Sequence, residues 1–350
     1  MMFTVFAEKD IFEDILIDNI KTPNWFSIFC NHSDICLNIT DIELDFELSI
    51  DSPISYFYRI TGGKEPKALS GFFQDIYADK SMISECPRSV FFLNYPKVEA
   101  DLLQSNYGVI VQSREAIIDN VLTGSFKRKL FKDEVIEEGL DIGWKHLLRF
   151  NFPPSNSIVI SDNYLLPSTE RIGIKNVNLG KSNLIKLLDV ILPQNLLIPF
   201  HILIISEHGN RDEIWRQNLA TELDKGIKLL RNYNIVVEIV YIKSEDLHER
   251  LLLMNYLNST CEHGFCVFKA KDDKTVSMVN KLQINSYYSS LENSQGDSEF
   301  QLAVKDLSLI KSVCNQLTTH IQNGNPFDKG SILGDCNPDK TIVNRLINDV

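Results

Sequence analysis

The chain has 350 residues, 44% of them hydrophobic and 23% charged, and carries a formal net charge of −12. That length accommodates one large or two medium domains with their own cores, and both fractions are ordinary for globular proteins. The acidic balance excludes a general nucleic-acid coat protein, because a phosphate backbone needs a basic face; it leaves room for a local basic pocket and equally fits a protein whose main partner is another protein.

No apolar run reaches membrane length: the most apolar stretch, residues 190–206, is broken by Pro193, Gln194, Asn195, Pro199 and His201. Glu8, Lys9 and Asp10 follow directly on the apolar start, so no secretory signal is expected. Seven scattered cysteines, an odd number, argue against a disulfide framework and for a reducing cytoplasm.

In chain order, residues 2–7 read as a strand and 11–20 as a helix. Residues 25–30 (WFSIFC) read as a buried strand, and 38–50, with Ile39, Ile42, Leu44, Phe46, Leu48 and Ile50 alternating with acids, as one or two half-exposed strands. The turn at 61–64 (TGGK) is not a phosphate loop, because Lys64 is followed by Glu65 and Pro66 rather than by Ser or Thr. Buried strands at 89–94 and 107–113 flank a helix at 98–104, a βαβ unit, and 114–122 looks helical. The compact basic run 125–131 (SFKRKLF) reads as a solvated helix end, with nucleic-acid contact as the alternative. An amphipathic helix at 144–150 closes this half.

Phe152-Pro153-Pro154-Ser155-Asn156 marks a boundary. Beyond it, strands at 158–160, 201–206 and 235–242 alternate with helices at 182–192, capped by Ser182, and 214–232. This is the pattern of a mainly parallel sheet flanked by helices. Asp162 follows the first of these strands, at the carboxyl end where α/β sheets place ligands; an ordinary turn is the bland reading. Residues 166–179 read as a covering loop, 300–321 as an amphipathic helix and 341–347 as a short one. The expected organisation is an N-terminal α/β or α+β half (1–152), an α/β domain (157–322) and a tail (323–350).

The densest chemistry lies in residues 246–269 (DLHERLLLMNYLNSTCEHGFCVFK). Read as a strand, residues 246–254 place His248 and Arg250 on one face. An imidazole beside a permanent guanidinium suits a phosphate, the Arg offering fork donors and the His a donor or nucleophile. The bland alternative is a half-buried His paired with Glu245, Asp246 or Glu249. Cys261, His263 and Cys266 are zinc-type ligands, but with no second close pair a hairpin turn at Gly264 fits better.

The spacing H-x-R-x4-N of His248, Arg250 and Asn255 resembles the H-x-K-x4-D signature of the phospholipase D superfamily, closest to the single-copy domain that follows MIT domains. The order of elements from 157 to 269, including Asp162-Asn163-Tyr164 and Gly264-Phe265, is also similar. The resemblance implies a phospholipase D-like α/β fold, with His248, Arg250 and Asn255 as site residues and Asp162, His263 and Gly264 lining the pocket. Arg stands for Lys, Asn for Asp, and one copy of the motif is present where active members use two, from one chain or a dimer. It therefore implies recognition of a nucleic-acid or nucleotide phosphodiester, without metal or cofactor, in a bacterial and possibly anti-phage setting. Two alternatives stay open: a metal-independent nuclease working as a dimer through His248, and a non-enzymatic assembly or regulatory protein with a protein partner.

Overall fold

The computed structural model describes residues 2–123, 125–129, 135–138, 144–145, 148, 152–172, 175–207, 211–243, 247, 250–262, 264–271, 274–277, 281–288, 298–325 and 330–350. The chain is an α/β protein built on two main sheets. The first is fully parallel. Its elements run β1 (Phe3–Ala7), α1 (Lys9–Ile17), α2 (Pro23–Asn31), β2 (Ser33–Leu37), α3 (Asp41–Ser49), α4 (Pro53–Ile60), β3 (Lys67–Ala68), α5 (Ser70–Ala78), β4 (Ser89–Leu93), α6 (Lys97–Tyr107) and β5 (Ile110–Ser113). The strand order is β3-β2-β1-β4-β5, so the chain reverses its direction of travel between β1 and β4.

The remaining strands are β6 (Ser125–Lys129), β7 (Val135–Glu138), β8 (Ser157–Ser161), β9 (Thr169–Ile172), β10 (Lys175–Asn178), β11 (Phe200–Glu207), β12 (Ile235–Ile242), β13 (Leu251–Met254), β14 (Leu257–Cys261), β15 (Phe268–Lys271), β16 (Lys274–Ser277), β17 (Lys281–Ser286) and β18 (Ile332–Gly334). Helices α7 (Leu179–Ile191), α8 (Glu213–Lys228), α9 (Glu299–Gln322) and α10 (Arg345–Asn348) interleave with them. Among the described residues the second sheet has eight strands in the order β18-β12-β11-β8-β13-β14-β17-β6. Its centre, β12, β11 and β8, is parallel, and the strands on either side add antiparallel.

Several local expectations change. Residues 25–30 are helical, not extended: Pro23 opens α2, and the Asp119 carboxylate, far along the chain, accepts the Asn24 and Trp25 N–H groups (3.1 and 3.2 Å). The buried Trp25, Ile28 and Phe29 then follow helical spacing. Residues 41–49 are also a helix, started by a capping box in which Thr40 and Glu43 each satisfy the other's backbone N–H. Asn178 caps α7 in place of Ser182, accepting from Lys181 N–H at 2.8 Å. Residues 114–122 form turns, and within the expected covering loop β9 and β10 pair antiparallel. The start of the basic run is the edge strand β6 of the second sheet, so the chain enters that sheet before the proline boundary. Of the expected helix at 144–150, only residues 144, 145 and 148 are described.

One apolar layer joins the two sheets. Phe3, Val5, Val90 and Phe92 from the first sheet and Val159, Leu203, Val240 and Leu253 from the second share it with Phe300, Leu307 and Ile310 of α9. Phe3 meets Tyr288 and Phe300 edge-on, with centroids 5.8 and 5.4 Å apart. Their neighbours in sequence, Phe6 and Phe91 on one sheet and Ile158 and Ile202 on the other, fill separate cores on the outer faces. Tyr256 adds a polar rivet: its buried hydroxyl donates to the Ser89 carbonyl (2.6 Å) and accepts from Ile110 N–H (2.8 Å).

The expected tail is part of the body. β18 pairs with the edge of β12, and Asp349 forms an ion pair with Arg88 of the first half at 2.6 Å. Val343 is gripped from two strands: His201 Nδ1 donates to its carbonyl (2.9 Å), and the fully buried Glu238 accepts its N–H (2.7 Å). The second Glu238 oxygen is buried without a partner among the described residues. Burial pushes Glu238 up to about 7 and His201 down to about 4, so both are held neutral more readily than in water.

Candidate functional site

Parallel strands deliver their carboxyl ends to one edge, where open α/β sheets take ligands. On the second sheet β8, β11 and β12 end together in Ser161-Asp162-Asn163, Ser206-Glu207 and Ile242-Lys243. β13 returns antiparallel beside β8, with Leu251 opposite Ser161. That register sets Arg250 next to Asp162. The structure thus brings Arg250 and Asp162 together.

Asp162 is buried and organises the edge. One carboxylate oxygen accepts from Phe265 N–H (2.7 Å), the other from Tyr164 N–H (3.0 Å). Burial raises its pKa, while these two N–H groups and the charge of Arg250 pull the other way. Gly264 makes the approach possible. Its φ of +84° favours glycine, and a Cβ there would lie 2.3 Å from the Asp162 Oδ2. Gly264 is thus a packing requirement of the Asp162 cradle. Asn163 ties the next segment down: its amide donates to the Leu247 carbonyl at 2.6 Å.

Arg250 is held by contacts that leave its charge unneutralised. Its Nη1 donates to the Glu262 carbonyl, and its guanidinium lies over the Tyr164 ring, 5.2 Å from the centroid. No carboxylate forms an ion pair with it among the described residues, and its buried Nε has no partner there. Tyr164, itself 55% exposed, presents this cation at the rim. Sequence reading placed Tyr164 at the end of a strand without a role of its own; the platform it forms depends on Arg250, which is remote in sequence.

Of the rest of the predicted set, only Asn255 is described. His248 and His263 lie outside the described residues. Asn255 lies at the opposite end of β13, five residues from Arg250 and therefore roughly 16 Å away along a strand. It is completely buried. Its carbonyl accepts from Asn156 and Ser157 N–H (3.3 and 3.2 Å), and its amide donates to the Gly108 carbonyl and the Asn156 side chain (3.2 and 3.1 Å). Asn255 is therefore a clasp between the two halves and does not share a pocket with Arg250.

The corresponding edge of the first sheet has a different character. Glu8, directly after β1, accepts from the Tyr77 hydroxyl and from Asn38 Nδ2, and burial pushes the Tyr77 phenol up. Glu8 and Asp10 occupy the start of α1, the position that would otherwise attract an anion. Among the described residues no group of three or more His, Cys, Asp or Glu side chains is placed to hold a metal ion, and no helix is long and apolar enough to cross a membrane. No protein-family model matches the chain, and no curated protein matches it either.

Proposed function

We propose that the carboxyl edge of the second sheet recognises a phosphodiester, in nucleic acid or a nucleotide, through Arg250. The observation that carries this reading is a positioned guanidinium with no carboxylate partner among the described residues, at the edge where such sheets bind ligands. A phosphate oxygen would accept from its free N–H groups in charge-assisted bonds, and Tyr164 offers an aromatic face to an adjoining base or sugar. His248, two residues before Arg250, supplies a second donor in this reading. It matches the phospholipase D-like resemblance of the sequence.

Recognition is favoured over hydrolysis because Asn255, at the motif position where that superfamily has its Asp, is used up as a clasp at the far end of β13. The acidic total charge confines the interaction to this rim.

The test is fluorescence anisotropy with labelled single- and double-stranded DNA and RNA, in EDTA and in magnesium, for the wild type, Arg250→Ala and His248→Ala. Binding should weaken about tenfold or more in Arg250→Ala, with a shallower salt dependence. Equal binding by wild type and Arg250→Ala would sink the assignment. Cleavage in EDTA that is lost in His248→Ala would convert it to a dimeric nuclease.

A further inference from the structure

Helix α3 has its apolar side chains on the outside. Its sequence, DIELDFELS, buries Leu44 and Glu47, while Ile42 is 82% and Phe46 60% exposed. One turn apart, they form a ridge, and Ile50, 42% exposed, follows at the extended residue that ends the helix. Helix α4, packed against α3, adds the exposed Tyr56 and Ile60, again four residues apart. Single exposed apolar residues are commonplace; here a pair one turn apart on one helix is joined by a second pair on the helix packed against it.

The charges of α3 itself are of one sign, and the nearby Arg59 of α4 is paired with Asp51. Asp41, Glu43, Asp45 and Glu47 are all in α3, which holds no basic residue. Glu47 is met by Lys9 and Glu43 is engaged by Thr40. Asp41 and Asp45 have no ion pair or side-chain hydrogen bond among the described residues. The capping box holds the helix in shape before anything binds, which limits the ordering cost of association.

We infer that α3 is a docking helix that inserts Ile42 and Phe46 into an apolar groove on a different protein, rimmed by Lys or Arg. Recognition of an amphipathic helix by a groove uses anchors at this spacing. The acidic flank selects a basic rim and opposes the two other occupants of such a surface. A second copy would set acid against acid, and an anionic membrane leaflet would repel the ridge. This surface is independent of the phosphodiester site, so either assignment can fail without the other.

The experiment uses the full chain in the cells that make it, with Phe46→p-benzoylphenylalanine and, as control, Leu229→p-benzoylphenylalanine, a residue 77% exposed beyond the end of α8. Irradiation should give one heterologous adduct at position 46 and none at 229, with the crosslinked peptide flanked by Lys or Arg. Combining Asp41→Lys with Asp45→Lys should cut the adduct about tenfold or more while circular dichroism and the unfolding midpoint stay unchanged. The inference is overturned by no adduct above the control, by an adduct to a second copy, by a mapped peptide without basic residues, or by indifference to the charge reversal.

Discussion

Replacing Glu238 by Gln probes a carboxyl whose proton the fold holds more tightly than water does, beneath the C-terminal strap. Its pKa rises from an ordinary 4.5 to about 7, with burial as the main cause and the N–H groups of Val343 and Asn344 opposing it. Below pH 4.5 folded and unfolded chains both carry the proton. As pH rises towards 7 the unfolded chain loses it first, so stability falls across that window and then levels off. At about 1.4 kcal/mol for each pH unit, the loss is about 3 kcal/mol. His201, on the other side of the Val343 peptide, works in the opposite sense. Held down to about 4 from 6.5, it costs stability as pH falls through that interval. The wild-type profile is thus a near-cancellation, and the informative quantity is the difference between variant and wild type. Gln keeps the acceptor for Val343 N–H and removes the titration. Urea unfolding followed by tryptophan fluorescence from pH 4.5 to 8 should show Glu238→Gln gaining about 3 kcal/mol relative to wild type between the two ends of the range. A difference curve flat to within about 0.5 kcal/mol refutes the burial argument.

Gly264→Ala should destabilise by about 2–4 kcal/mol in the same assay, because the new Cβ collides with Asp162 and the positive φ adds strain. Asn255→Ala should lower the unfolding midpoint by a comparable free energy, yet leave phosphodiester affinity of the folded protein within about twofold; a selective loss of binding would return Asn255 to the site. Tyr256→Phe should cost about 1–3 kcal/mol by stripping Ile110 N–H and the Ser89 carbonyl of their partner, read as a shift in denaturant midpoint at constant slope.

The continuous apolar strands were legible in the sequence. Residues 89–93, 200–207 and 235–242 are covered on both faces, and their composition says so whatever surrounds them. Two of the misread segments failed for different reasons. Residues 41–49 carry a Thr-x-x-Glu start that pointed to a helix, but the outward Ile42 and Phe46 imitate a two-residue period. Residues 23–31 depend on Asp119 for their N-terminal hydrogen bonds, and no local pattern announces a cap so far along the chain. At the candidate site, Asp162, Arg250 and Gly264 converge because strand pairing forces it. Asn255 was misplaced because motif spacing counts residues but does not say how long the strand is. Five residues of extended chain cross the sheet from one edge to the other, and its partners, Gly108 and Asn156, lie beyond any local window.

The interleaving of the halves sets a schedule for synthesis. Arg88, immediately before β4 and itself almost wholly buried, meets its carboxylate only when Asp349 has been made. The shared apolar layer likewise waits for α9, some two hundred residues after β4. The parallel sheet of residues 3–113 therefore leaves the ribosome before the part of its apolar face that meets α9 is covered and before Arg88 can reach Asp349. At roughly 5–20 residues per second that interval lasts on the order of ten to fifty seconds. During it the nascent chain is a natural client for a chaperone, and rare-codon pauses between residues 113 and 299 would lengthen its exposure without altering the finished fold.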